Sequence, residues 1–188
     1  MATATPVSAE RRFLLDGVSW QFYETCLAEI GDRPIRLTYR NGSIEMMSPS
    51  EEHERFKRLL ARLVDAATEE LNIPIRSSGS TTWRKQELDA GLEPDNCYYI
   101  EHEAQVRGKR EVDLDVDPAP DLAIEIEITT SAVNRMAIYA ALGVPEVWRF
   151  DGQTLSIHGL AEDGAYHRLD RSRERQSFAT MGRGPGTV

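Results

Sequence analysis

The sequence predicts an α/β protein in which helices flank a mixed β-sheet. Three observations carry this reading. The stretch from Pro120 to Thr129 alternates like a core strand, two stretches near 51–71 and 132–142 carry apolar residues at helical spacing, and Asn41-Gly42 separates two alternating runs.

The alternation around Asn41-Gly42 predicts a hairpin. Ile35 to Arg40 and Ser43 to Met47 are the two arms, and Asn-Gly readily takes the two positive φ values of a type I′ turn. Before it, Ser19 can cap a helix of about 12 residues whose Trp20, Tyr23, Leu27 and Ile30 lie near helical spacing. After it, Ser48-Pro49-Ser50-Glu51-Glu52 reads as a helix start, with hydroxyl caps followed by acids in the first turn. That helix is expected over about 51–71, with Phe56, Leu59, Leu60, Leu63, Val64, Ala67 and Leu71 as its stripe. His53 extends the stripe at its first turn.

Residues 80–86 and 95–100 are expected as strands, with a turn at Asp89-Ala90-Gly91 between them. A short helix near 102–108 and an acidic, Pro-containing loop follow. The strand over 121–129 comes next. Ser131 is the expected cap of a helix over 132–142, with Gly143 closing it. Strand 145–150 and two further strands, Thr154–Leu160 and Ala165–Asp170, form a terminal β-meander. The order from 51 to 150 is α-β-β-β-α-β, preceded by a helix and hairpin.

At 188 residues the chain suffices for one domain with a real core. That domain is expected over 11–178, with a mobile tail over 1–10 and a disordered Gly-rich tail over 179–188. No apolar run reaches the roughly 20 residues of a membrane span, and no secretory signal is evident. Cys26 and Cys97 stand far apart without a CxxC, which argues against a zinc site or disulfide framework and favours a reducing, cytoplasmic setting. A net charge of −9 speaks against coating nucleic acid with the whole surface. It leaves room for a local basic patch, and the C-terminal arginines Arg168, Arg171, Arg173 and Arg175 are one candidate.

Strand 121–129 holds the chemistry. Residues two apart share a face, so Asp121, Glu125 and Glu127 point one way and Leu122, Ile124, Ile126 and Ile128 the other. Acids in so apolar a strand are costly unless something positive compensates them. A divalent cation would do so; so would an arginine or solvent. If strands 95–100 and 121–129 pair antiparallel, Asp95 comes beside Glu125 and Glu127. At about 3.3 Å per residue, Asp121 lies about 13 Å from Glu125, too far to share one ion, whereas Glu125 and Glu127 are about 7 Å apart. The expected metal pair is therefore Asp95 and Glu125, with Glu127 near and Asp121 peripheral.

Pro94-Asp95 followed by Glu125-Ile126-Glu127 in an apolar strand resembles the PD-(D/E)xK nucleases. The run from about 35 to 151 resembles, more closely, the bacterial family named Putative restriction endonuclease within that superfamily. The resemblance rests on Asn41-Gly42, Met47-Ser48-Pro49, His53, Glu93-Pro94-Asp95, Pro120 to Glu125, and Tyr139 with Gly143 to Trp148. It implies a restriction-endonuclease-like core and cleavage of DNA with Mg²⁺ or Mn²⁺ held by Asp95 and Glu125. It implies no membrane partner and leaves a homodimer open. The superfamily's lysine position is here Glu127. The matching cation falls on the next helix as Arg135, on one face with Ile138, Tyr139 and Leu142. Thr38 stands where many relatives carry Glu. Asp95, Glu125, Glu127 and Arg135 are thus the candidate catalytic residues, and Asp121, His53 and Tyr139 the candidates to support them. The rival function is a catalytically weak or inactive nuclease-fold module that binds nucleic acid or protein. No GxSxG or P-loop is present.

Overall fold

A computed structural model of the chain describes residues 10–172. In chain order the described elements are β1 (Arg11–Asp16), α1 (Trp20–Ile30), β2 (Arg36–Arg40), β3 (Ser43–Ser48), α2 (Glu51–Glu70), β4 (Arg76–Ser77), β5 (Trp83–Lys85), β6 (Ala90–Leu92) and β7 (Asn96–Tyr99). Then come α3 (Glu103–Val106), β8 (Leu122–Ile126), α4 (Arg135–Leu142), β9 (Glu146–Phe150), β10 (Leu155–Leu160) and β11 (Tyr166–Leu169).

The described strands form two sheets rather than one. The first has the order β1-β3-β2-β6-β5 and the second β11-β10-β9-β8-β7-β4. All described pairings are antiparallel except β8 with β9, which α4 connects. The α/β architecture with a mixed sheet and terminal meander stands, and the hairpin belongs to a separate antiparallel sheet.

Local chemistry explains most boundaries. Asn41 and Gly42 have φ of 48° and 82°, the pair that a type I′ turn requires. Ser19 Oγ accepts from Phe22 N at 3.2 Å and Ser50 Oγ from His53 N at 3.1 Å, so both expected caps form. Glu51, Glu52 and Glu54 occupy the first turn of α2, where the positive helix end favours them.

Several expectations are corrected. Ser131 does not cap the helix near 132–142. Its hydroxyl lies 2.8 Å from Glu45 Oε1 and 2.9 Å from the Val133 carbonyl, with one proton to share between them, and Asn134 caps α4 instead by accepting from Ala137 N at 3.1 Å. Asp89-Ala90-Gly91 is a turn only at Asp89, where φ is 44°; Ala90 and Gly91 continue as β6, between β2 and β5. The strand expected over 80–86 contracts to Trp83–Lys85. Arg11–Asp16, which has no regular alternation, becomes a strand by pairing along the whole of β3. Glu10, assigned to the tail from the sequence, is held by side-chain bonds to His53, Arg12 and Thr129. Residues 1–9, the Gly-rich stretch 179–188, and Arg173 and Arg175 of the basic cluster lie outside the described residues.

The core is laid down on both faces of β8. Leu122, Ile124 and Ile126 pack with Tyr98 beneath Leu60 and Val64 of α2. On the opposite face Ala123 joins Val147, Ile138 and Tyr139, together with Ala90 and Leu92 of the first sheet. Each such aliphatic side chain contributes about 1.5–3 kcal/mol on burial. Glu125 falls on the Ala123 face, enclosed between α4 and the first sheet.

Candidate active site

Asp95 stands just ahead of β7 and Glu125 in the middle of β8. The antiparallel register pairs Asn96 with Ile124, and Asp95 N donates to Ile124 O at 3.1 Å. The two acids are therefore neighbours across adjacent strands.

Asp95 is 2% exposed. Its Oδ2 accepts the Ile126 N–H at 2.7 Å. Its Oδ1 accepts from His53 Nε2 at 2.7 Å and lies 3.3 Å from Arg36 Nε. Burial pushes its pKa up, but His53, Arg36 and the Ile126 amide more than offset this and hold it below the usual range. Asp95 is ionised at neutral pH.

Glu125 is 7% exposed. Its Oε1 accepts from Arg135 Nη2 at 2.7 Å and from the Tyr139 hydroxyl. Burial raises the Glu125 pKa; Arg135 opposes the shift and the nearby Asp95 charge adds to it. Arg135 also donates to Thr38 Oγ1 and to Glu93 O. Arg135 thus spans both sheets, holding Glu125 of the second and the Thr38 hydroxyl of the first.

Behind Asp95 runs a chain of acids and bases. His53 is fully buried, with Nε2 on Asp95 and Nδ1 on Glu10. Burial alone would lower its pKa, but the two carboxylates raise it to about 9. His53 is then cationic at neutral pH and donates from both nitrogens. Asp95 is paired with His53 and Arg36, Glu10 with His53 and Arg12, and Glu125 with Arg135.

Glu127 and Asp121 take other partners. Glu127 is ion-paired with Arg149 of β9. Asp121 organises the turn after β7: its Oδ2 accepts from Ile100 N at 2.7 Å and His102 N at 3.0 Å, and its Oδ1 meets His102 Nδ1. Glu125 and Glu127 both line a cleft of about 290 Å³, with Arg12, Arg135, Arg149 and Ser131 among the other walls.

The sequence reading missed Glu10, Arg36 and Glu45. Glu45 was within reach of the logic used for Glu125, because it too is an acid between aliphatic residues of a strand. It is 2% exposed and accepts from Arg12, Ser131 and the Ala132 amide. Glu10 carried no signal, since its partners are 43 and 119 residues away.

A protein-family model described as Putative restriction endonuclease, Uma2, matches residues 20–180. The chain belongs to this family. No curated protein matches it. In this Uma2 chain the match takes in both carboxylates, His53, Arg135 and Arg149, and leaves out β1 with Glu10 and Arg12.

Asp95 and Glu125 offer the hard carboxylate oxygens that suit Mg²⁺ or Mn²⁺, and Mg²⁺ commonly completes its shell with water. The donor chemistry therefore fits such an ion, in competition with His53 and Arg135 for the same oxygens. Among the described residues no group of three His, Cys, Asp or Glu side chains is placed to hold one. Among the same residues no helix is long and apolar enough to cross a membrane.

Proposed function

We propose that this Uma2 chain is a metal-dependent endonuclease that hydrolyses DNA phosphodiester bonds, of restriction type. The observation that supports this best is the placement of two buried carboxylates, Asp95 and Glu125, on adjacent antiparallel strands, with Glu125 lining a cleft. Asp95 and Glu125 are the residues that would hold Mg²⁺ or Mn²⁺. The bound ion would supply Lewis acidity toward the phosphodiester and lower the pKa of a bound water.

The chain's own groups have separable tasks. His53 and Arg36 keep Asp95 ionised, while the Ile126 amide fixes its orientation. Arg135 holds Glu125 and keeps a positive charge near the cleft; as a guanidinium it cannot act as a base. Glu127 is a second carboxylate in the cleft wall and can accept a proton from the attacking water.

A second reading is a nuclease-fold module that binds DNA or protein without cutting. The internal neutralisation of both carboxylates, together with Glu127 at the superfamily's lysine position, favours it. A plasmid-nicking assay with Mg²⁺ or Mn²⁺ separates the two. Nicking by the wild type and its loss in Asp95→Ala and Glu125→Ala are the expected results. Cleavage that survives both substitutions would exclude this site. No cleavage of any DNA form, with no calorimetric Mn²⁺ binding, would leave the binding module.

A further inference from the structure

Among the described residues three arginines line the cleft beside Glu125: Arg12, Arg135 and Arg149. They differ in how much of each guanidinium is already used. Arg12 spends Nε on Thr129, Nη1 on Glu45 and Nη2 on Glu10. Arg135 spends Nη1 on Thr38 and Nη2 on Glu93 O and Glu125, and its Nε is sealed from solvent without a partner. Arg149 is bonded through Nη2 to Glu127, and among the described residues its Nε and Nη1 carry no hydrogen bond. Its side chain is 35% exposed, against 16% for Arg12 and 13% for Arg135.

In the parallel pair β8–β9, Arg149 is the direct partner of Glu125. Paired residues of neighbouring strands project to the same face, and Arg149 and Glu125 do line one cleft. A planar guanidinium with spare N–H groups, at the rim of a cleft, matches a phosphate oxygen pair. Glu127, two residues beyond Glu125, is the carboxylate that holds this guanidinium.

We propose that Arg149 binds a backbone phosphate of the DNA substrate in this cleft, and that Glu127 competes with that phosphate for the Arg149 guanidinium. The inference rests on the nuclease reading above and adds the residue that grips the substrate. It adds a cation on β9 to Arg135 on α4.

The test is fluorescence anisotropy of a labelled DNA duplex with the full chain, in Mg²⁺ and in EDTA, over a range of salt, beside the plasmid-nicking assay. Arg149→Met is expected to weaken binding about tenfold and to reduce the salt slope by about one, with partial rescue by Arg149→Lys. Glu127→Gln is expected to tighten binding, and to have no such effect in the Arg149→Met background. A merely structural ion pair would weaken binding in both single variants. Wild-type binding by Arg149→Met, weaker binding by Glu127→Gln, or no binding by the wild type overturns the inference. A wild type that binds DNA but never nicks it removes the nuclease reading and leaves the Arg149 result standing by itself.

Discussion

His53 Nε2 lies 2.7 Å from Oδ1 of Asp95, so the first turn of α2 is bonded to the start of β7. The imidazolium is fully buried and bracketed by Glu10 on its other side. Folding therefore strengthens the hold on one proton, and stability must depend on pH.

The His53 pKa rises from 6.5 to about 9 on folding. Below 6.5 both states carry the proton and the full stabilisation is present. Between 6.5 and 9 the unfolded chain loses the proton while the folded chain keeps it, so stability falls as pH rises. The loss reaches up to about 3 kcal/mol. Urea unfolding at a pH below 6.5 and another above 9 should show it, and His53→Gln should flatten the dependence. Stability that is level or rising across that interval in the wild type would contradict this.

Glu10 is expected to matter although it lies outside the matched residues 20–180. Burial opposes its ionisation, but the bonds from His53 and Thr129 hold its pKa below the usual range. Glu10→Gln removes one charged partner of a buried imidazolium, at a cost of about 1.5–3 kcal/mol. The decline in stability toward high pH should shrink with it. Unchanged urea midpoints would show that Glu10 does not hold His53.

Arg135→Met leaves the Glu125 carboxylate buried without its cation. Breaking such a pair from one side costs about 3–5 kcal/mol. The double variant Arg135→Met, Glu125→Gln should recover most of that loss, because no lone charge is then left inside. Denaturant midpoints of the three variants give the coupling, and simple additivity would argue against a mutually compensating pair.

Gly91 is expected to resist every side chain. A Cβ there would stand 2.5 Å from the Tyr23 hydroxyl and 2.8 Å from Arg84 Cβ, and Arg84 is its cross-strand partner in the β5–β6 pair. Gly91→Ala should destabilise by about 1–3 kcal/mol. A thermal midpoint equal to that of the wild type would mean that α1 shifts freely away from the sheet.

What the sequence determined was local and periodic. The Asn41-Gly42 turn, the caps at Ser19 and Ser50 and the two-faced strand at 122–126 follow from residue chemistry and the period of two, and Asp95 beside Glu125 follows once antiparallel pairing of the two strands is assumed. The same reasoning set Asp121 apart, since strand rise alone keeps it from Glu125. Where it failed, a distant partner outbid the local signal: Ser131 is drawn away from its helix by Glu45 of β3, and β1 is a strand only because β3 lies alongside. The tertiary structure alone decided how each charge is compensated. It sent Glu127 to Arg149 and Glu125 to Arg135, and it brought Glu10 to His53 from 43 residues away. Hydrogen bonds and ion pairs act over a few ångströms in space, and spacing along a strand sets which acids can converge but not which cations arrive to meet them.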